Sequence, residues 1–277
     1  MQRFFSVAGN IAPNTTIRIL VKLLYTPQKR ELKPAHIECM NKADKFKFEV
    51  EEFRNPKKKL KLQCYSWGKG EKTVLLVHGW DAKAMDFYKI IPVLVEHGYK
   101  VISFDGPGHG KSEGERSNLV DFKEIMYKMI KEKIGVPYAI IGHSMGGGSA
   151  TYLLMEYDIR VKRLITIAIP IISKRFFDGI FTAMKVPGKM QKVFFKSMAE
   201  EFGEPIDKYN LIERKEPIKA DKVLMLYDDK DEVISTKDVK DYLTKHKEIE
   251  AVTIPEVGHY SIIKSKLVIE EIVRFLK

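Results

Sequence analysis

The sequence predicts an α/β fold: a mostly parallel sheet of eight strands with helices on both faces and a helical insertion. Two observations support this prediction. Short apolar runs alternate with stretches of helical periodicity over most of the 277 residues. Ahead of them, two further runs alternate polar and apolar side chains with a period of two. A chain of this length can form one large domain with an inserted piece.

The continuous apolar runs indicate strands that are covered on both faces, as in a parallel sheet. They occupy residues 73–77, 99–104, 137–141, 163–168, 222–227 and 250–254. Helical periodicity separates them, for example over residues 84–97, 119–133 and 147–157. Because parallel strands need crossover connections, this alternation predicts helices packed on both faces of one sheet.

The two period-two runs, residues 45–51 and 59–65, predict a β-hairpin with one solvated face, and Asn55 and Pro56 lie in its connection. Residues 170–219, in contrast, contain no apolar strand. Phenylalanines and methionines alternate there with lysines, which predicts helices over one end of the sheet. The expected organisation is an N-terminal helical extension (1–44), a core (45–170 and 220–277) and a helical cap, or lid (171–219).

Composition argues against several classes of function. The formal net charge is +11, but the basic residues are spread thinly and no nucleic-acid-binding motif accompanies them. A solvated lysine-rich surface is therefore favoured, and no nucleic-acid partner is expected. Cys39 and Cys64 lack metal-ligand spacing and the density of a disulfide framework, although they could pair. We expect a cytoplasmic protein without metal or cofactor; its oligomeric state stays open.

The N-terminal extension contains an apolar stretch at residues 17–25 that includes Arg18 and Lys22. This stretch is far shorter than the roughly 20 residues that a membrane-spanning helix needs, and no secretory signal is expected. The pattern predicts an amphipathic helix. Packing on the domain is favoured over contact with a membrane surface.

Ser144 is the predicted nucleophile. It lies in the run Gly142-His143-Ser144-Met145-Gly146, between a predicted buried strand and a predicted helix. A serine in such a sharp turn needs small neighbours, and the helix N-terminus favours developing negative charge. The alternative is a glycine-rich turn that binds phosphate.

A serine hydroxyl is a poor nucleophile without a base. Of the seven histidines, His259 follows the last predicted strand, so it reaches the same sheet edge as Ser144 and is favoured as the base. His78 and His109 follow earlier strands and could border the site. His143 adjoins the serine in sequence and should project away from its hydroxyl.

The base needs a carboxylate that orients it and stabilises its charged form. Asp228, Asp229, Asp231 and Glu232 follow the strand predicted at 222–227. Asp231 is favoured, and one of the other three carboxylates is the alternative. A solvated acidic turn without function is the remaining interpretation of this cluster.

Two backbone amides are expected to bind the oxyanion, those of Met145 and of Trp80, which follows Gly79. The expected pocket residues are His78, His143, Phe177, Phe181, Met184 and Tyr260. The aromatic and methionine side chains of the insertion either line an apolar pocket or only pack the cap on the core, and the sequence favours neither.

Five segments, taken together and in this order, resemble the α/β-hydrolase family of serine esterases and lipases. They are residues 77–80, 104–112, 142–147, 228–233 and 258–259. The resemblance implies a triad of Ser144, Asp231 and His259, oxyanion donors at Trp80 and Met145, support from Asp105 and His109, and a cap domain. It extends from about residue 60 to the C-terminus. Ser235 stands where many members have a proline, and residues 1–44 do not match.

These features predict a serine hydrolase of the carboxylesterase or lipase-like type, which cleaves a small, apolar ester or related acyl compound through an acyl-enzyme. A thioesterase, an amidase or a C–C bond hydrolase with the same triad is the alternative, because the fold does not choose among them. A non-catalytic ligand-binding protein with this fold is the third possibility.

Overall fold

A computed structural model describes residues 13–53 and 55–277. The first twelve residues of the predicted extension and Arg54 lie outside the described residues. Within that part of the chain, eight strands form one sheet in the order β1-β2-β4-β3-β5-β6-β7-β8. The strands are β1 (Asp44–Glu52), β2 (Asn55–Trp67), β3 (Thr73–Val77), β4 (Lys100–Phe104), β5 (Ala139–His143), β6 (Val161–Ile167), β7 (Ala220–Tyr227) and β8 (Glu250–Thr253).

Strand β2 runs antiparallel to both β1 and β4, and the other neighbouring strands are parallel. The mostly parallel sheet predicted from the sequence is therefore confirmed, including its N-terminal hairpin. In the described residues the α-helices are α1 (Pro13–Tyr25), α2 (Pro34–Asn41), α3 (Ile90–Glu96), α4 (Leu119–Met129), α5 (Met145–Glu156), α6 (Ser173–Met184), α7 (Gly188–Phe202), α8 (Thr236–Lys245) and α9 (Lys266–Leu276).

Strand β3 shows how the core is divided between the two faces of the sheet. Leu75 and Val77 point into one hydrophobic cluster, and Val74 and Leu76 point into the other. All four side chains are fully buried. Because successive side chains of a strand point to opposite faces, such a run needs a helical layer on each side.

The prediction of one continuous helix over residues 84–97 is wrong. The structure has a 3₁₀ turn at Ala84–Phe87 and then α3. Pro92 gives the physical reason, because proline has no amide hydrogen and is tolerated only in the first turn of a helix. The helix predicted at 119–133 is also divided. Its first part is α4, which ends at Met129, and a π-helix follows over Ile130–Ile134.

The insertion between β6 and β7 holds α6 and α7. Lys185 adopts a left-handed conformation (φ 52°) that ends α6, and Pro187 precedes α7. Helix α1 packs against α7, and the ring of Tyr25 stacks on Phe194 at a centroid distance of 6.3 Å. The division into extension, core and cap stays a prediction. This packing joins the extension to the insertion.

Cys39 and Cys64 are free and buried, and they belong to different hydrophobic clusters. Burial raises the pKa of their thiols to about 11 and about 12, respectively. The pairing that the sequence left open therefore does not occur. No helix in residues 13–53 or 55–277 is long and apolar enough to span a membrane.

Candidate active site

Ser144 occupies a strained turn between β5 and α5. Its φ of 50° and ψ of −125° lie outside the conformations that a non-glycine residue usually adopts. Its amide donates to the carbonyl of Ile167 at 2.8 Å. A Cβ on Gly142 would lie 2.3 Å from Gly147 Cα, and one on Gly146 would lie 2.3 Å from the carbonyl oxygen of His78. Small residues are thus required on both sides of the serine.

The structure brings Ser144, His259 and Asp231 together from three separate loops. His259 Nε2 lies 3.0 Å from Ser144 Oγ, and His259 Nδ1 lies 2.8 Å from Asp231 Oδ2. The side chains of His259 and Asp231 are each only 2% exposed. With the Nδ1 proton donated to Asp231, Nε2 is free to accept the proton of the serine hydroxyl.

Asp231 is held as an anion. Burial alone would raise the pKa of its carboxyl, but the hydrogen bond and charge interaction with His259 and the amides of Val233 and Ile234 lower that pKa below its ordinary value. Those two amides donate to Oδ1 at 2.7 and 2.8 Å. One carboxylate oxygen is therefore anchored by the backbone while the other orients the imidazole.

Asp228 has a different role in the same loop. Its carboxylate accepts hydrogen bonds from the amides of Lys230, Val257 and Gly258 at 2.7 to 2.9 Å. These bonds tie the loop after β7 to the segment that carries His259. The geometry thus separates the candidate acid, Asp231, from a neighbouring carboxylate that supports the loop.

The amides of Trp80 and Met145 flank the serine. Met145 is the first residue of α5, and Trp80 follows Gly79, where an added Cβ would lie 2.9 Å from Ser144 Cβ. Across residues 13–53 and 55–277, neither amide donates to a protein acceptor. Two donors are therefore available beside Ser144, and their role as oxyanion donors stays a prediction.

Two of the other histidines fix these loops. His143 Nε2 donates to the carbonyl of His259 at 3.0 Å, and burial lowers the pKa of His143 to about 3. His78 Nδ1 donates to the carbonyl of Gly79 at 2.8 Å, and its Nε2 accepts from the amide of Gly106. The expectation that His78 lines the pocket is wrong, because its ring is buried between neighbouring rings and packs against His109 and Phe122.

A cavity of about 110 Å³ adjoins the serine. Its lining combines the three candidate catalytic loops with α1, the start of α4, and the insertion. The lining residues are Leu24, Tyr25, Trp80, Ser117, Asn118, Leu119, Val120, His143, Ser144, Met145, Pro170, Ser173, Phe176, Phe177, Met198, Ile206, Tyr209, Val233, Ile234, His259 and Tyr260.

Of the pocket residues expected from the sequence, His143, Phe177 and Tyr260 line this cavity. Phe181 and Met184 do not, which corrects that expectation. Phe181 is 1% exposed and packs against Phe194 and Phe195, with ring centroids 5.1 and 5.6 Å away. Met184 packs on the same cluster. Phe181 therefore belongs to the aromatic core of the insertion, and neither side chain lines the cavity.

Several lining residues were not expected from the sequence. Leu24 and Tyr25 come from the N-terminal helix, and Ile206 and Tyr209 from the segment after α7. They share no local motif. Only tertiary packing brings them to the cavity, so a pattern along the chain could not indicate them.

The lining consists of apolar, hydroxyl, amide and imidazole side chains. No lysine or arginine side chain of residues 13–53 or 55–277 lines the cavity. The same part of the chain has no cluster of three histidine, cysteine or acidic side chains that could hold a metal ion. The arrangement is therefore suited to binding a neutral, largely apolar group beside a serine, a histidine and a carboxylate.

A parallel sheet with a serine on a strained strand-to-helix turn, followed by an acid and a histidine on later loops, defines a class of proteins. The family model for the alpha/beta hydrolase fold matches residues 72–204, and the eight-stranded sheet with its helices has this fold. A solved structure of a Pyrococcus furiosus esterase covers 91% of this chain and 96% of that protein, with a TM-score of 0.63 and 21% identity. That likeness shows the shared fold.

Two curated relatives are bacterial hydrolases of 2-hydroxy-6-oxononadienedioate and 2-hydroxy-6-oxononatrienedioate. The protein from Paraburkholderia phymatum is 33% identical over 115 residues, which cover 38% of this chain and 39% of that protein. The protein from Comamonas testosteroni is 33% identical over 141 residues, which cover 48% of this chain and 46% of that protein. The matched segments span less than half the length of each relative.

Proposed function

We propose that this protein is a serine hydrolase that cleaves neutral, largely apolar carboxylic esters through an acyl-enzyme. The hydrogen-bonded series of Ser144, His259 and Asp231 carries the proposal. Its three members come from loops at one edge of the sheet, and its two links are 3.0 and 2.8 Å long. A purely structural turn would have no need for this alignment beside a cavity.

In the proposed mechanism, Ser144 Oγ attacks the ester carbonyl carbon while His259 Nε2 takes the hydroxyl proton. The tetrahedral oxyanion accepts hydrogen bonds from the amides of Trp80 and Met145. His259 then donates the proton to the leaving alcohol as the C–O bond breaks. Asp231 stabilises the imidazolium throughout these steps.

The acyl-enzyme is hydrolysed by the reverse sequence. A water molecule takes the place of the alcohol, His259 removes its proton, and the resulting oxygen attacks the acyl carbon. Collapse of the second tetrahedral intermediate releases the carboxylic acid and returns the proton to Ser144. The residues present can complete this cycle without a cofactor.

The cavity lining supports a neutral acyl group. The substrates named for the two curated relatives are dioates, which carry two carboxylates, and buried carboxylates need cationic or hydrogen-bonding partners. The described lining offers hydroxyl and amide groups but no lysine or arginine, so the carboxylates of a dioate would have no cationic partner there. Since a single water molecule needs about 10–15 Å³ of such volume, a cavity of about 110 Å³ has room for an acyl group of several carbon atoms.

A C–C bond hydrolase is the second candidate, because both curated relatives act on carbon chains of that kind. The same triad could serve that reaction. A direct comparison separates the candidates: p-nitrophenyl esters from acetate to dodecanoate against 2-hydroxy-6-oxononadienedioate, with the wild type and Ser144→Ala.

We expect turnover of the esters that is lost in Ser144→Ala, with kcat/KM highest for acyl chains of medium length. Turnover of the dioate alone, also lost in Ser144→Ala, would replace the ester proposal by the C–C proposal. Equal rates for the two proteins on every substrate would contradict both.

A further inference from the structure

The end of α1 and the chain segment that follows it border the candidate active site. We call residues 24–30 the N-terminal wall. Leu24 and Tyr25 at its start line the catalytic cavity, although the sequence pattern of the family does not reach this part of the chain. The cavity is thus closed on one side by a segment that lies outside the recognisable hydrolase motifs.

Backbone hydrogen bonds fasten the N-terminal wall to loops of the site. The carbonyl of Tyr25 accepts from the amide of Ser117 at 2.9 Å, next to the cavity residue Asn118. The amide of Gln28 donates to Asp81 Oδ1 at 2.7 Å. Asp81 follows Trp80, so this bond joins the N-terminal wall to the predicted oxyanion loop.

Two contacts of Arg30 extend this attachment. Its carbonyl accepts from Lys83 Nζ at 3.4 Å. Its guanidinium lies 5.7 Å from the ring centroid of Tyr260, a distance at which a cation is attracted to an aromatic face. Because Tyr260 follows His259, the N-terminal wall touches both the loop of the base and the loop of the oxyanion donors.

Buried side chains of α1 anchor the start of the N-terminal wall. Leu20, Val21 and Tyr25 are buried, and Tyr25 stacks on Phe194 of α7. Leu23, in contrast, is 44% exposed. Neighbouring leucines of one helix therefore face different environments: Leu24 faces the cavity and Leu23 faces solvent.

We propose that the N-terminal wall is a built-in part of the acyl-binding pocket and that Leu24 limits the length of the acyl chain accepted. This inference rests on the proposed function and specifies its substrate range. A larger side chain at position 24 fills the cavity and excludes long acyl chains, and a smaller one leaves room for additional methylenes.

The test compares Leu24→Trp and Leu24→Ala with Leu23→Trp and Leu23→Ala as matched controls. We measure kcat/KM for p-nitrophenyl acetate, octanoate and nonanoate, and the unfolding midpoint of each protein. Leu24→Trp should lower the octanoate-to-acetate ratio at least tenfold. Leu24→Ala should raise the ratio for nonanoate over octanoate by about fourfold, the value of one buried methylene. The Leu23 variants should keep the wild-type ratios.

Unchanged ratios in both Leu24 variants would overturn the inference, as would equal shifts in the Leu23 variants. Binding of the neutral ketones 2-octanone and 2-dodecanone, measured by calorimetry, keeps this test separate from catalysis. If the wild type hydrolyses no ester, the proposed function fails, but the inference still requires at least tenfold weaker ketone binding in Leu24→Trp than in Leu23→Trp. Equal affinities would overturn it.

Discussion

Asp231 accepts a hydrogen bond from His259 Nδ1 at 2.8 Å, with both side chains almost completely buried. Asp228, three residues earlier, instead accepts hydrogen bonds from the backbone amides of Lys230, Val257 and Gly258. The two carboxylates of this loop are thus assigned different tasks by their partners. Substitution of each by asparagine separates catalysis from support of the loop.

We predict that Asp231→Asn lowers kcat by about 10³- to 10⁴-fold, because an amide favours the wrong imidazole tautomer and does not stabilise the imidazolium. Asp228→Asn should lower kcat less than tenfold. Its main effect should be a loss of about 1–3 kcal/mol in the free energy of unfolding, because one of its amide partners is left without an acceptor. A large kcat loss confined to Asp228→Asn would contradict the assignment.

A second prediction concerns the approach of Gly79 to the nucleophile. A Cβ at this position would lie 2.9 Å from Ser144 Cβ and 3.2 Å from the carbonyl oxygen of His143. Gly79→Ala should displace the loop that carries the Trp80 amide and so remove one oxyanion donor. The expected loss in kcat is about 10²- to 10³-fold.

Gly179→Ala is the matched control for this substitution. Gly179 lies within α6, and nothing lies within 4 Å of an added Cβ. That change should stabilise the protein by about 0.5–1 kcal/mol and leave kcat at the wild-type value. Equal activities of Gly79→Ala and Gly179→Ala would argue against an oxyanion role for this loop.

A third prediction follows from the buried imidazole of His143. Burial lowers its pKa in the folded protein to about 3, whereas its ordinary value is 6.5. Between these values the unfolded chain binds a proton that the folded protein does not. Stability should therefore fall as the pH falls below 6.5, and this contribution should be constant above that pH.

His143→Gln should reduce the acid sensitivity, because it removes the titrating group and keeps an N–H donor for the carbonyl of His259. Thermal unfolding between pH 7 and pH 4.5, followed by circular dichroism, measures the effect. The Tm of the variant should fall less steeply than that of the wild type. His97→Gln changes an exposed histidine and is the control, which should keep the wild-type slope of Tm against pH. A slope for His143→Gln equal to that of the wild type would refute the prediction.

The insertion supplies a fourth prediction. Phe181 lies in the aromatic core of the insertion, and Phe177 lines the cavity. Phe181→Ala should cost about 3–5 kcal/mol of unfolding free energy. Phe177→Ala should instead raise KM for octanoate esters more than for acetate esters. Chemical denaturation and steady-state kinetics on both variants test this contrast, which disappears if the two side chains share one role.

Local patterns made much of this structure predictable. The continuous apolar runs predicted the parallel strands because strands covered on both faces cannot alternate in polarity. The small residues around Ser144 predicted the sharp turn for a steric reason, and the geometry shows that reason in the close approach of Gly147 to Gly142. Signals of this kind depend only on neighbours in the sequence.

The cavity was harder to predict, for an equally physical reason. Leu24, Tyr25, Ile206 and Tyr209 reach the site through packing between distant segments, and packing leaves no periodic signal. Phe181 shows the opposite error. Its apolar character is consistent with either a pocket wall or a buried core, and only the position of Phe194 and Phe195 decides between them.

Covalent capture tests the central claim most directly. Incubation with a fluorophosphonate, followed by intact-mass and peptide mass spectrometry, should show one adduct per chain on Ser144. The adduct should be absent in Ser144→Ala and should form at least 10²-fold more slowly in His259→Ala. Labelling of another residue at the same rate in wild type and Ser144→Ala, with Ser144 itself unmodified, would contradict the account.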